Sequence, residues 1–302
     1  MVIPTRNRAE RLLRTMGTVL AQEDVDLEVV IVDDCSSEDI TPRLLALDSQ
    51  RVRILRHRRQ RGLPASRNSG IAVAAGEWLA FLDDDDLWSP DKLCTQLRAA
   101  SRSRAGWVYG GAFILDESLG ALEAPPAPAE AQVFDHLLGG YSIPAGGSNV
   151  VARTDVVVRL GGFDVNVAHL ADWDLFLRLA RLVPAAACPE IMVAYVTHQS
   201  NMRMDTDVAS IVREFDYLAA KHSSLRSSTG SGFDSRPFWD WVIANQMRAG
   251  RRTSASKLLA LRALRHRCTT DVARAAYSLV RATPHSPETA PCRFPFWAST
   301  YV

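Results

Sequence analysis

Short apolar runs alternate with amphipathic stretches through the first two thirds of the chain. Val2–Ile3, Leu27–Val32, Val52–Leu55 and Glu77–Leu82 read as strands buried on both faces. Between them Ala9, Leu12, Leu13, Met16 and Leu20 recur with helical spacing. Ser36-Ser37-Glu38-Asp39 caps a second helix to about Leu47, and a third follows Arg61-Gly62-Leu63-Pro64 until Gly76. Strands alternating with helices imply an α/β fold with a doubly wound, mostly parallel, Rossmann-like sheet and right-handed crossovers. Further on, Trp107–Gly111 and Ser148–Ala152 read as strands, Leu119–Ala131 as an Ala/Pro-rich surface loop, Thr154 as a cap and Gly161-Gly162-Phe163-Asp164 as a turn. Trp173, Phe176, Leu177 and Ala180 form a helical stripe, which puts Asp172 at or before the first turn of an amphipathic helix. A last strand, Ile191–Val196, ends in Thr197-His198. From Asp205 the pattern is helical only. A Ser/Gly-rich linker at 223–235 interrupts it, helices are expected at 238–249, 254–265 and 271–281, and coil from Pro284.

The fourth strand ends in Asp83, Asp84, Asp85 and Asp86, at the carboxyl edge where open α/β sheets bind ligands. Adjacent carboxylates repel and gain from a shared cation. On an extended backbone Asp83 and Asp85 point the same way, so this D-x-D pair can hold one hard divalent ion through oxygen. The alternative is a solvated loop leading into a helix with Ser89 as N-cap and Pro90 at its first position.

Composition narrows the setting. With 47% hydrophobic and 23% charged residues among 302, the chain can bury a sizeable core. A net charge of +1 argues against nucleic-acid binding as the main activity. Five scattered cysteines without metal-ligand spacing suit reduced thiols of a cytoplasmic protein. No apolar run approaches the roughly 20 residues of a bilayer span and no signal peptide is evident, so a soluble protein is expected, with room to work beside a membrane. The opening Met1-Val2-Ile3-Pro4 reads as a clipped strand lacking a few preceding residues.

The motifs fall in one order. They are Val2-Ile3-Pro4-Thr5-Arg6-Asn7-Arg8, Val32-Asp33-Asp34-Cys35-Ser36, Gly62-Leu63-Pro64-Ala65-Ser66-Arg67-Asn68-Ser69-Gly70, Phe81-Leu82-Asp83-Asp84-Asp85-Asp86, Gly161-Gly162-Phe163-Asp164 and Ala171-Asp172-Trp173-Asp174. Over about the first two hundred residues the chain resembles glycosyltransferase family 2 with its GT-A fold. The resemblance implies inverting transfer of a sugar from a nucleotide diphosphate donor of UDP, dTDP or GDP type. The acceptor hydroxyl would belong to a glycan, a lipid-linked molecule or a small molecule, in non-processive cell-surface glycan or glycoconjugate synthesis. It divides the chain into a nucleotide-sugar half (1–110), an acceptor half (111–204) and a helical C-terminal region (205–302). That region is a candidate for dimerisation or for holding an acceptor, and the inner face of the cell membrane is a candidate location.

Carried over residue by residue, the resemblance makes Asp83 and Asp85 ligands of Mg2+ or Mn2+, with Asp85 the stronger. His198 is a further candidate ligand, weighed against a structural histidine. Asp84 would contact the donor ribose or sugar, Asp34 the base edge with Asp33 in support, and Pro4, Thr5 and Arg6 the nucleoside. Arg67 would meet a phosphate or the sugar. Asp172 would be the general base, although Ala171 stands where the family carries Glu and a helix N-terminus stabilises the carboxylate as the anion. A plain N-cap is the other reading of Asp172, and Asp174 is expected to cap or pair. Arg56, His57, Arg58, Arg59 and Arg61 read first as a solvated basic face and second as a seat for a phosphate-bearing acceptor or an anionic membrane. Trp88 and Trp173 read as core ahead of sugar platforms. A metal-dependent phosphoesterase and a non-catalytic nucleotide-sugar-binding module are the competing functions.

Overall fold

The computed structural model describes residues 1–140, 143–198, 208–226, 230–234, 239–240, 242–243, 246–247 and 252–266. Two compact units divide them, one comprising residues 1–134 and 143–198, the other residues 135–140 and those described from 208 onward.

In the first unit β1 (Val2–Thr5), β2 (Val29–Asp33) and β3 (Val52–Arg56) form a parallel sheet in that order. Every residue of β1 and β2 is buried, as two-sided helical cover requires. α1 (Ala9–Leu20) lays Leu12, Met16 and Val19 into the same core as Ile3, Val29 and Ile31, while α2 (Thr41–Leu47) and α3 (Leu63–Ile71) complete the crossovers. A second sheet runs β4-β8-β6-β9-β5, from β4 (Trp78–Ala80), β5 (Leu87–Trp88), β6 (Trp107–Leu115), β8 (Val151–Arg153) and β9 (Ala185–Val196). The short β7 (Ala121–Glu123) pairs with β6. Phe81 bridges Val2 in parallel and joins the two sheets. The parallel pairings, β1–β2, β2–β3 and β6–β9, hold more residues than the antiparallel ones, so the fold is the expected α/β architecture.

Several local expectations are corrected. The predicted strand over 148–152 begins as a 3-10 turn, Gly146–Asn149. Asn149 Nδ2 donates to the carbonyls of Gly110, Gly111 and Pro144, and the Ser148 hydroxyl donates to Asp86, so tertiary hydrogen bonds override the apolar pattern. Ser89 and Pro90 do not start a helix. β5 precedes them, and α4 (Lys92–Ser103) begins two residues beyond Pro90. α3 ends at Ile71 rather than running to Gly76. The expected loop over 119–131 contains β7 and a 3-10 turn, Glu130–Gln132, before α5 (Val133–Gly139). Thr154 is the first residue of α6 (Thr154–Arg159), and its hydroxyl donates to the Gly76 carbonyl instead of capping. The strand expected over 107–111 continues to Leu115 as β6, with register shifts against β9 at Gly110 and Gly111.

The second unit contains α8 (Val208–Lys221) and the helix Arg252–His266, close to the expected 254–265. Phe215 stacks on Trp239 with ring centroids 4.9 Å apart. The expected helix 238–249 is described only in part, and those at 271–281 and the tail lie outside the described residues.

Candidate active site

The carboxyl ends of β1, β2, β3 and β4, the first turn of α7 (Ala171–Leu182) and the end of β9 supply the candidate side chains. The acidic run is not a solvated loop: Asp84, Asp85 and Asp86 are 4%, 3% and 0% exposed. Each is held from a distant part of the chain. Thr5 Oγ1 donates to Asp84 Oδ2 at 2.7 Å. Arg8 Nη1 donates to Asp84 Oδ1 at 3.0 Å and to Asp85 Oδ2 at 2.7 Å. His198 Nε2 lies 2.8 Å from the same Asp85 oxygen. Asp86 accepts from Ser148 Oγ at 2.5 Å and from the Val196 N–H at 3.2 Å. The Ser148 oxygen accepts in turn from the Asp83 N–H at 3.1 Å, tying the loop to the 3-10 turn.

Crowding acids out of water has the expected electrostatic result. Burial first, and Asp85 second, push the Asp84 carboxyl up to about 7 against the pull of Arg8 and Thr5. Burial and the neighbouring Asp85 and Asp83 raise Asp86 well above the usual carboxylate range.

Arg67 joins this loop to α7. Its side chain is fully buried, with Nη2 2.6 Å from Asp83 Oδ1 and Nη1 2.5 Å from Asp172 Oδ1. The guanidinium lies 5.0 Å from the Phe163 ring centroid, and Asn68 exchanges two 2.8 Å hydrogen bonds with the Phe163 backbone. The glycine-rich turn is thereby fixed against α3. Gly161 and Gly162, at φ 78° and 69°, supply the left-handed backbone it needs. Asp172 is not an N-cap, since Leu170 holds that position, and the other Asp172 oxygen accepts from the Gly147 N–H at 3.0 Å. Asp174 pairs with Arg178 at 2.7 Å.

Asp34 sits apart from this crowd, between β2 and β3. Its Oδ1 accepts from His57 Nδ1 at 2.7 Å and from the Arg61 N–H at 2.8 Å, and Oδ2 accepts from the Gly62 N–H at 2.8 Å. Burial works against the anion, yet these three donors hold its carboxyl below the usual value. Asp33 turns to the Ser36 N–H at 2.8 Å and to Arg56 at 3.3 Å. Arg56, Arg58, Arg59 and Arg61 are exposed, as the solvated basic face requires, whereas His57 is half-buried against Asp34. Pro4 is buried in β1, and Arg6 is exposed just beyond it. Trp88 and Trp173 are fully buried and serve as core.

Sequence reasoning named Arg8, His57, Asp86 and Ser148 without the contacts they make here, and it passed over Gly147. Arg8 closed the first motif and His57 follows a strand directly, so position was the available signal. The glycine pair Gly146-Gly147 offered only a weak turn signal. No strand or helix periodicity marks contacts made across 60 to 110 residues.

The donor set suits a hard divalent cation: buried carboxylates in excess of nearby cations, with an imidazole touching Asp85. Among the described residues no three His, Cys, Asp or Glu side chains form a preformed cage.

The acidic side chains gather at the carboxyl edge of an open α/β sheet, where such folds bind ligands. In comparison with known proteins, residues 1–122 match the model of Glycosyl transferase family 2. The chain is 43% identical over 105 residues to the succinoglycan biosynthesis protein ExoO of Rhizobium meliloti, a match covering 34% of this chain and 30% of ExoO. It is 25% identical over 222 residues to the UDP-Glc:alpha-D-GlcNAc-diphosphoundecaprenol beta-1,3-glucosyltransferase WfgD of Escherichia coli, covering 72% and 84%. Among solved structures, S. aureus TarS 1–349 in complex with UDP-GlcNAc superposes with a TM-score of 0.59 at 13% identity, over 85% of this chain and 70% of that one. Over residues 1–122 the chain is thus similar to glycosyltransferase family 2, and its fold is GT-A.

Proposed function

We propose that the protein transfers a sugar from a nucleotide diphosphate donor to a lipid-linked or glycan hydroxyl, with inversion, in cell-surface polysaccharide synthesis at the cytoplasmic face of the membrane. The observation that carries this reading is Arg67, which spans Asp83 and Asp172 and so brings the D-x-D loop within one guanidinium of the proposed base. The names of WfgD and ExoO support the acceptor class, and the UDP-GlcNAc complex of TarS supports the donor class.

In this reading Asp34 receives the base edge with Asp33 behind it, Pro4, Thr5 and Arg6 border the nucleoside, and Asp84 meets the ribose or sugar. Asp85, Asp83 and His198 would hold Mg2+ or Mn2+, which when bound neutralises the departing diphosphate without a proton. Arg67 places positive charge beside the reacting centre. Asp172 takes the acceptor hydroxyl proton as that oxygen bonds the anomeric carbon and the diphosphate oxygen leaves from the opposite face.

Incubation with UDP-, dTDP- and GDP-sugars, manganese and a polyprenyl-diphosphate-sugar acceptor tests the proposal. Nucleoside diphosphate and a new glycoside in equal amounts are expected. Phosphate release without glycoside would favour a phosphoesterase, and binding without turnover a binding module. Among the described residues no helix is long and apolar enough to cross a membrane, consistent with action on a lipid headgroup from the surface.

A further inference from the structure

We propose that His57 is a specificity-determining positioning residue of the nucleoside pocket. It fixes Asp34 as an acceptor-only carboxylate that favours bases with a ring N–H (uracil, thymine or guanine) over cytosine and adenine, which set a ring acceptor against it and have only their exocyclic amine to offer. The inference rests on the reading that Asp34 meets the donor base.

The geometry leaves Asp34 little freedom. Oδ1 has both in-plane lone pairs engaged, by His57 Nδ1 and the Arg61 N–H. Oδ2 has one engaged, by the Gly62 N–H, so a single acceptor direction remains on an anion that is 5% exposed. A buried acceptor needs a donor, and a second acceptor placed against it leaves both unsatisfied. His57 controls this arrangement because it is the only one of the three donors carried by a side chain. The other His57 nitrogen lies 2.9 Å from Ser69 Oγ, which also receives Arg61 Nη1 at 3.3 Å and lies 3.0 Å from the Ala65 carbonyl on α3. An ionised Asp34 carboxylate can only accept, so in the 2.7 Å contact Nδ1 is the donor. The His57 N–H also donates to the Asp33 carbonyl at 2.9 Å, holding the ring beside the end of β2. With side-chain exposures of 9% and 8%, the His57–Asp34 pair lies out of bulk water, where one hydrogen bond to a charged group is worth about tenfold or more in an equilibrium.

The test is calorimetric titration of the full chain with UDP, dTDP, GDP, CDP and ADP in the presence of manganese. The wild type should prefer a nucleotide with a ring N–H. His57→Ala and His57→Phe should each weaken that nucleotide about tenfold while CDP and ADP change little, so discrimination shrinks by the same factor. His57→Asn, whose amide N–H reaches the Nδ1 position, should restore it. The phenylalanine variant keeps a ring in place and carries the test if the alanine variant fails to fold. Unchanged discrimination in both variants would overturn the proposal, whether overall affinity stays or falls equally for all five. Failure of His57→Asn to restore it, or a wild type preferring CDP or ADP, would do the same. A wild type that binds none of the five would overturn the donor-site reading itself.

Discussion

Asp34 and the Asp83–Asp86 loop are both buried acid at the end of a strand, and they are held in opposite ways. Asp34 is a lone carboxylate satisfied by two backbone N–H groups and one imidazole, and it stays readily ionised. The loop crowds four carboxyls, with Asp172 alongside, against two guanidiniums and one imidazole, and its Asp84 and Asp86 resist ionisation. The first site is finished and lacks only a hydrogen-bond donor. The second carries more acid than its resident cations balance, which suits a site that gains a divalent ion together with its substrate.

The largest effect that would sharpen this contrast is expected at Asp172. Asp172→Asn should lower the transfer rate by about 10²–10⁴ and leave UDP affinity within about twofold, because a missing general base costs turnover rather than donor binding. Full turnover would break the assignment. Gly147→Ala is the geometric counterpart. A Cβ there would lie 2.9 Å from Arg67 Nη2 and 3.3 Å from Asp172 Oδ1, so steady-state kinetics should show kcat falling at least about tenfold with little change in donor KM.

Lys92 supplies a control, a buried amine set against an aromatic ring instead of acid. Its Nζ lies 3.9 Å from the Trp88 ring centroid and 2.7 Å from Gln96 Oε1, and burial lowers its pKa to about 7. Between pH 7 and about 10.5 the unfolded chain binds more protons at this site than the folded one, so wild-type stability should rise with pH over that window. Lys92→Met should be more stable at pH 7 by an amount on the order of a few kcal/mol, and the gap should close toward pH 10 in denaturant melts. A gap that ignores pH would show that Lys92 is charged in the fold.

Much of the first unit was legible because helix and strand periods alternate cleanly up to Leu82, and every acidic residue singled out lies at a strand end or helix start. What failed were segments shaped by distant partners. Leu87–Trp88 is a strand only because β9, about a hundred residues later, pairs with it. Residues 146–149 leave the strand pattern because Ser148 and Asn149 spend their side chains on Asp86 and on the β6 carbonyls. The solvated loop stood as the alternative for the acidic run because local pattern carries no trace of Thr5, Arg8 and Ser148 closing over it. Arg8 is the clearest case: part of a recognised motif, its role as counter-ion to Asp84 and Asp85 emerged only with the fold.

The central claim, that the acid-rich loop seats a divalent ion while Asp34 seats the base, is tested most directly by titrating UDP into wild type, Asp85→Asn and Asp34→Asn with and without manganese. The account predicts that manganese tightens UDP binding to the wild type, that Asp85→Asn erases this gain, and that Asp34→Asn weakens binding by a similar factor in both conditions. Manganese-enhanced binding that survives Asp85→Asn would contradict it.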